Sequence, residues 1–143
     1  MDIMTSMKIG ASALKAQRTR LNTVSTNIAN IETTRTPEGG PFRKREVVFQ
    51  STTKGFAEQL GASQRDGIAG VKVAQIRVDQ SPPKMEYNPG HPDANADGMV
   101  AMPNIDLMAE VADMMSATRA YEANVSVVRS AKRMAMKALE IGQ

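Results

Sequence analysis

All seven prolines of the chain lie between Pro37 and Pro103, and eight of its ten glycines share that window, leaving only Gly10 and Gly142 outside. Proline removes a backbone donor and clashes with the preceding helical turn, and an interior glycine costs a helix about 1 kcal/mol. Residues 1–36 and 104–143 are therefore free to form long helices, and the middle is not. The expected fold is α+β: two long terminal helices packing in coiled-coil fashion, with a small irregular β-rich excursion between them. Its parts are 1–36, 37–103 and 104–143, the two ends together making one helical unit.

The ends carry heptad patterning. Met7, Leu14, Leu21 and Ile28 recur every seven residues, with Ile3, Gly10, Gln17, Val24 and Ile31 interleaved. This predicts a seam over four repeats, with Met7, Leu14, Leu21, Val24 and Ile31 as its main apolar contacts. Gly10 and Gln17 weaken it. In the C-terminal segment one row is Leu107, Met114, Tyr121, Val128 and Ala135, and the other is Val111, Thr118, Val125, Lys132 and Leu139. The C-terminal seam is thus Leu107, Val111, Met114, Tyr121, Val125, Val128 and Leu139. Asp106 or Asn104 supplies the N-cap, and Gly142 sits where the helix would stop.

Within the excursion, Glu46 to Gln50 reads as a short strand. Val71, Val73, Ile76 and Val78 alternate with polar residues but slip by one after Val73, which predicts a β-bulge. Lys84 to Tyr87 reads as a third strand, ahead of a turn-rich run to Gly98. Residues 51–66 read as a loop or a frayed helix around Phe56 to Leu60. Two long seams and so small an excursion cannot bury all their apolar surface within one chain, so other subunits are expected to cover the rest.

Composition excludes much chemistry. With no cysteine, thiolate metal sites, disulfides and a Cys nucleophile are impossible, and the lone His91 forbids a multi-histidine site. No apolar run approaches the roughly 20 residues that cross a bilayer, and the N-terminus lacks the pattern of a cleaved secretory signal. The net charge of +3 is too small to argue for nucleic acid.

The stretch TNIANIETTRTPEGGPFRK (Thr26 to Lys44) holds the motif Asn27, Ile28, Ala29, Asn30 followed by Thr33 and Thr34. It resembles the N-terminal signature of the flagellar rod and hook family of axial proteins. Together with Tyr87 to Val125, it is most similar to the proximal-rod members. Glu32 and Arg35 stand where many hook and rod relatives have Asn and Gly, while residues 51–80 match poorly. The resemblance implies a non-enzymatic subunit of the basal-body rod, without cofactor, small-molecule substrate or membrane span. It also implies export through the flagellar type III apparatus without a cleaved signal. Helical assembly in the periplasmic space would follow, with copies of itself, other rod proteins and the flagellar base as partners.

Several features invite sharper readings. Arg35, Arg43, Lys44 and Arg45 form a basic cluster in the sequence, read as a solvated or subunit-bridging patch; its alternative use is to bind an acidic partner in a cytoplasmic coiled-coil adaptor. His91 beside Asp93 has no positioned nucleophile and reads as a turn histidine. Asn27 and Asn30 near the helix end read as a C-cap and turn set. The resemblance adds that Asn30, Thr33 and Thr34 bond the backbone where the helix hands over to the excursion and meets a neighbour. The adaptor predicts a stable folded species that is not exported, and the rod subunit predicts ends that become fully ordered on assembly.

Asp93, Asn95, Asp97 and Gly98 match the opening of a calcium-binding EF-hand loop, but its twelfth position is Asn104 where a bidentate Glu is needed, and Pro89 and Pro92 exclude the entering helix. Calorimetric titration with calcium is therefore expected to show no binding tighter than about millimolar. A micromolar constant that disappears in Asp93→Ala would contradict this.

Overall fold

The computed structural model describes residues 3–52 and 69–141; the loop or frayed helix expected around Phe56 to Leu60, and the stop at Gly142, lie outside them. Helix α1 runs Ile3–Ala29 and helix α2 runs Leu107–Ile141, of 27 and 35 residues, or about 40 and 52 Å. Between them come strands β1 (Arg45–Thr52), β2 (Gly70–Val78), β3 (Lys84–Tyr87) and β4 (Met99–Met102). They pair as two antiparallel two-stranded sheets, β1 with β2 and β3 with β4. The helical pattern at 1–36 outruns the helix itself, because the chain turns after Ala29.

The expected bulge is present. Val48 pairs with Gln75 and Phe49 with Val73, leaving Ala74 as the extra residue. The insertion resets the alternation, so that Val71, Val73, Ile76 and Val78 share one face with Val47 and Phe49. The sheet packs along α1, where the Val71 amide donates to Ser12 Oγ (3.2 Å), whose hydroxyl donates to the Ile9 carbonyl. Strand β4 was not legible in the sequence: MVAM is too short to show a period, and its register comes from β3 and from the turn at Gly98. That glycine has φ +74°, and a Cβ there would meet the Tyr87 ring at 2.9 Å.

The two helices are antiparallel, since Gly10 meets Val128 while Asn27 and Arg20 meet Glu110 and Asp113. Asp106 caps α2, its carboxylate accepting the Met108 amide at 2.9 Å. On α2 the buried positions are Glu110, Ala117 and Ala131, a row one residue before Val111, Thr118, Val125, Lys132 and Leu139. Of that second row Val125 is half-buried and the other four are exposed, Leu139 at 74%. Leu107 is exposed as well, whereas Met114, Tyr121 and Val128 are half-buried. On α1 Val24 is buried, and Met7, Leu14 and Leu21 are half-buried; Ile31, expected in the same seam, is half-buried in the turn after the helix, because α1 ends at Ala29. Close approach of two backbones selects small residues, and a row chosen for bulky apolar side chains passes over them.

Gly10 marks a close approach. It is buried, and a Cβ added there would lie 2.6 Å from Val128 Cγ2. Overpacking of a stiff neighbour costs about 1–3 kcal/mol and outweighs the roughly 1 kcal/mol that alanine gains in helix propensity. Gly10→Ala should lower stability in chemical denaturation. Combined with Val128→Ala it should be neutral or stabilising relative to Val128→Ala alone. Additive losses would show that the helices do not touch there.

Candidate functional site

Where α1 ends, the chain makes a joint from which the hairpin and both helices are held. Asn27, 1% exposed, points out of the last turns of α1. Its amide nitrogen donates to the Arg45 carbonyl (2.8 Å) and to Glu110 Oε2 (2.9 Å), and its oxygen accepts the Arg45 backbone N–H (2.9 Å). The side chain thus mimics a strand neighbour, receiving both backbone groups of the first residue of β1. It also reaches the first turn of α2.

Glu110 is only 3% exposed, and its second oxygen takes the Lys44 ammonium at 2.9 Å. Burial of a carboxylate without such partners would be prohibitive. The hydrogen bond to Glu110 raises the Lys44 pKa above its ordinary 10.5, desolvation opposing it and the Glu110 and Glu46 charges adding to it. Beside this triad, Arg20 of α1 forms a forked pair with Asp113, one turn further along α2. The joint borders a cleft of about 530 Å³ lined by Arg20, Asn27, Lys44, Glu46, Glu110 and Asp113 among others. Its three carboxylates are each tied to a cation, Glu46 to Arg77 and the others as described. Such a site fixes geometry rather than making a base or a nucleophile available.

The motif continues the chain of bonds. Asn30 donates to the Thr26 carbonyl (2.9 Å), and its oxygen accepts the Thr33 hydroxyl (3.1 Å). The Thr33 carbonyl accepts the amide of buried Phe42 (2.9 Å). The Thr34 hydroxyl donates to Asp93 Oδ2 (2.8 Å), and Arg35 pairs with the other oxygen (2.5 Å). This hydrogen bond from Thr34 holds the Asp93 carboxyl below its usual 3.8, with the Arg35 charge adding to the effect. The turn after α1 is thereby tied to the loop before β4. Ile28 is half-buried and Ala29 exposed.

The structure disperses the four residues read as a basic cluster. Arg35 goes to Asp93, Arg43 to Gln80 (2.8 Å) and Lys44 to Glu110, while the Arg45 guanidinium lies 5.5 Å over the Phe42 ring. Consecutive residues leaving a turn point in different directions, so adjacency in sequence made no patch. In the calcium-like loop Asp93 serves Thr34 and Arg35, while Asn95 Oδ1 accepts the amides of Asp97 and Met99 as a turn. His91 Nδ1 accepts the Asp93 amide (3.1 Å). Among the described residues, no group of three or more His, Cys, Asp or Glu is placed to hold a metal, and no helix is long and apolar enough to cross a membrane. Sequence reasoning missed Glu110, Asp113 and Arg20. The available signal was Glu110 at heptad spacing from Ala117, a carboxylate in a row of small residues.

Residues 7–35 match the family described as "Flagella basal body rod protein", and residues 96–141 match "Flagellar basal body rod FlgEFG protein C-terminal". The chain is 45% identical to the flagellar basal-body rod protein FlgC of Bacillus subtilis, an alignment covering 96% of this chain and 97% of that one. It is 41% identical to FlgC of Borreliella burgdorferi, over 100% of this chain and 99% of the other. To FlgC of Salmonella typhimurium it is 40% identical over the whole of both.

Two consequences of the joint can be measured. Asn27→Ala leaves Glu110 and both Arg45 backbone groups short of partners and should destabilise the chain by about 2–4 kcal/mol in urea denaturation. A loss under about 0.5 kcal/mol would show that water replaces the amide without cost. Because the folded pKa of Lys44 is raised, its contribution is complete below the ordinary 10.5 and disappears as pH climbs through the raised value. The stability gap between the natural chain and Lys44→Met should therefore narrow only in strong alkali.

Proposed function

The chain belongs to the FlgC family of flagellar basal-body rod proteins, and from that premise we propose how it serves as a structural subunit of the rod. It assembles helically, α1 and α2 packing against each other and then against the helices of neighbouring subunits, while the β1–β2 hairpin braces one flank. Its partners are copies of itself and other rod proteins, together with the flagellar base and the type III export apparatus that delivers it. It acts in the periplasmic part of the basal body. The Asn27 to Thr34 motif sets the angle at which the excursion leaves the helix pair.

The observation that carries this reading is the apolar surface left on α2. Only six apolar side chains are buried among the described residues, three of them alanine. Leu107, Met108, Val111 and Met115 stand exposed at helical spacing on the first turns of α2, with Met134, Met136 and Leu139 toward its end. A helix with so much of its apolar surface outward is built to be covered by another subunit. Methionine suits contacts between neighbours that are not quite equivalent, because its unbranched thioether repacks readily. The dispersal of the basic cluster removes the surface on which an acidic-partner adaptor would depend.

Complementation tests the reading. The natural gene should restore swimming to a strain lacking it, and a Val111→Asp, Leu139→Asp double variant should not. Both positions are exposed in the monomer, so its stability should stay within about 0.5 kcal/mol per site. Full swimming by the double variant, or unimpaired swimming in the deletion strain, would overturn the proposal.

A further inference from the structure

The helix pair is electrically polar along its length. Helix α1 carries four cations and no carboxylate in its 27 residues. Gly10 lies against Val128 and the helices are antiparallel, so residues 3–18 and 120–141 form one end of the pair. That end holds seven Lys and Arg side chains against two carboxylates, Glu122 and Glu140. All seven are exposed, and among the described residues the one ion pair here is Lys137 with Glu140. Arg129, Lys132, Arg133 and Lys137 follow one another down the last turns of α2.

The opposite end, where the motif and the β3–β4 loops gather, has the other sign. Residues 30–44 and 79–106 contain seven carboxylates and four cations. Arg35 and Lys44 are already committed to Asp93 and Glu110. Glu32, Glu38, Glu86 and Asp97 are exposed, with no described cation within salt-bridge distance. About 18 Å separates residue 18, at the inner edge of the basic end, from residue 30. The Debye length in physiological salt is about 8 Å, so each end shows an approaching molecule its own sign.

We propose that the basic end of one chain docks on the acidic motif end of a second copy, in a head-to-tail contact that sets the direction of stacking. This rests on the rod reading and adds to it the surface and the force that orient the neighbour. A twofold contact made end to end would bring like ends together and be repelled, whereas a side-by-side antiparallel pair would close at two chains, so sedimentation that stops at a dimer would overturn the proposal. Pairing unlike ends is heterologous, and a heterologous contact that does not close generates an open helical array. The exposed apolar rows supply area once the charges have aligned the chains.

Arg129→Glu, Lys132→Glu and Arg133→Glu together reverse the basic end, and Glu38→Lys with Glu86→Lys reverses the other; all five side chains are exposed. Sedimentation of the purified natural chain should show self-association that weakens about tenfold or more between low and high sodium chloride. Each reversed variant alone should lose it while keeping its circular dichroism, and an equimolar mixture of the two should regain it. Variants that associate like the natural chain, or a mixture that stays monomeric, would overturn the proposal. So would a basic end that binds phosphatidylglycerol vesicles while charge reversal leaves self-association unchanged. The mixing result does not depend on motility: a deletion strain that swims would sink the rod reading, and failed mixing would sink this one.

Discussion

The side chain of Asn27 is a polar group that cannot be buried alone, and the arrangement of the molecule follows from how it is satisfied. One short amide reaches the first residue of β1 through both of that residue's backbone groups and the first turn of α2 through Glu110. Glu110 in turn requires Lys44, which immediately precedes β1. Helix end, strand start and opposite helix are thus joined within a few ångströms. In a low-dielectric setting such a network is costly if incomplete and rigid if complete.

Apolar packing by itself would leave this geometry loose. Apart from Val24, the buried apolar positions of the two helices are small, Gly10, Ala16, Ala117 and Ala131, which bring the backbones close but offer little area. Directional bonds fix the registry, Asn27 with Glu110 and Arg20 with Asp113 lying along the same flank of the pair. The bulky apolar residues are used elsewhere, on the outward side of α2 and partly on the hairpin. Fold and assembly therefore draw on different residues: polar and small ones fix the subunit, and large apolar and charged ones are left for its neighbours.

This division explains what could be read in advance. The α+β class, the two terminal helices, the bulge after Val73 and the cap at Asp106 were legible because breakers, alternation and capping residues act locally. The true face of α2 was not, because heptad reasoning rewards Val111 and Leu139, whereas contact selects Ala117 and Ala131. The joint was half legible. Asn27 stood out in the motif as part of a helix-end set, but its partners lie 18 and 83 residues away, and no local rule connects them. The basic run from Arg43 to Arg45 misled for the complementary reason, since neighbours along a chain leaving a turn need not share a surface.

The central claim is that Asn27 makes the start of β1 part of the same cooperative unit as the helix pair. Its most direct test is amide hydrogen exchange at Arg45, the residue whose N–H is held by Asn27 rather than by another backbone carbonyl. The account predicts that in the isolated chain this amide exchanges at the rate of Thr23 and Val24 in α1, and that Asn27→Ala accelerates it selectively. An Arg45 amide that already exchanges orders of magnitude faster than those helix amides in the natural chain would contradict it.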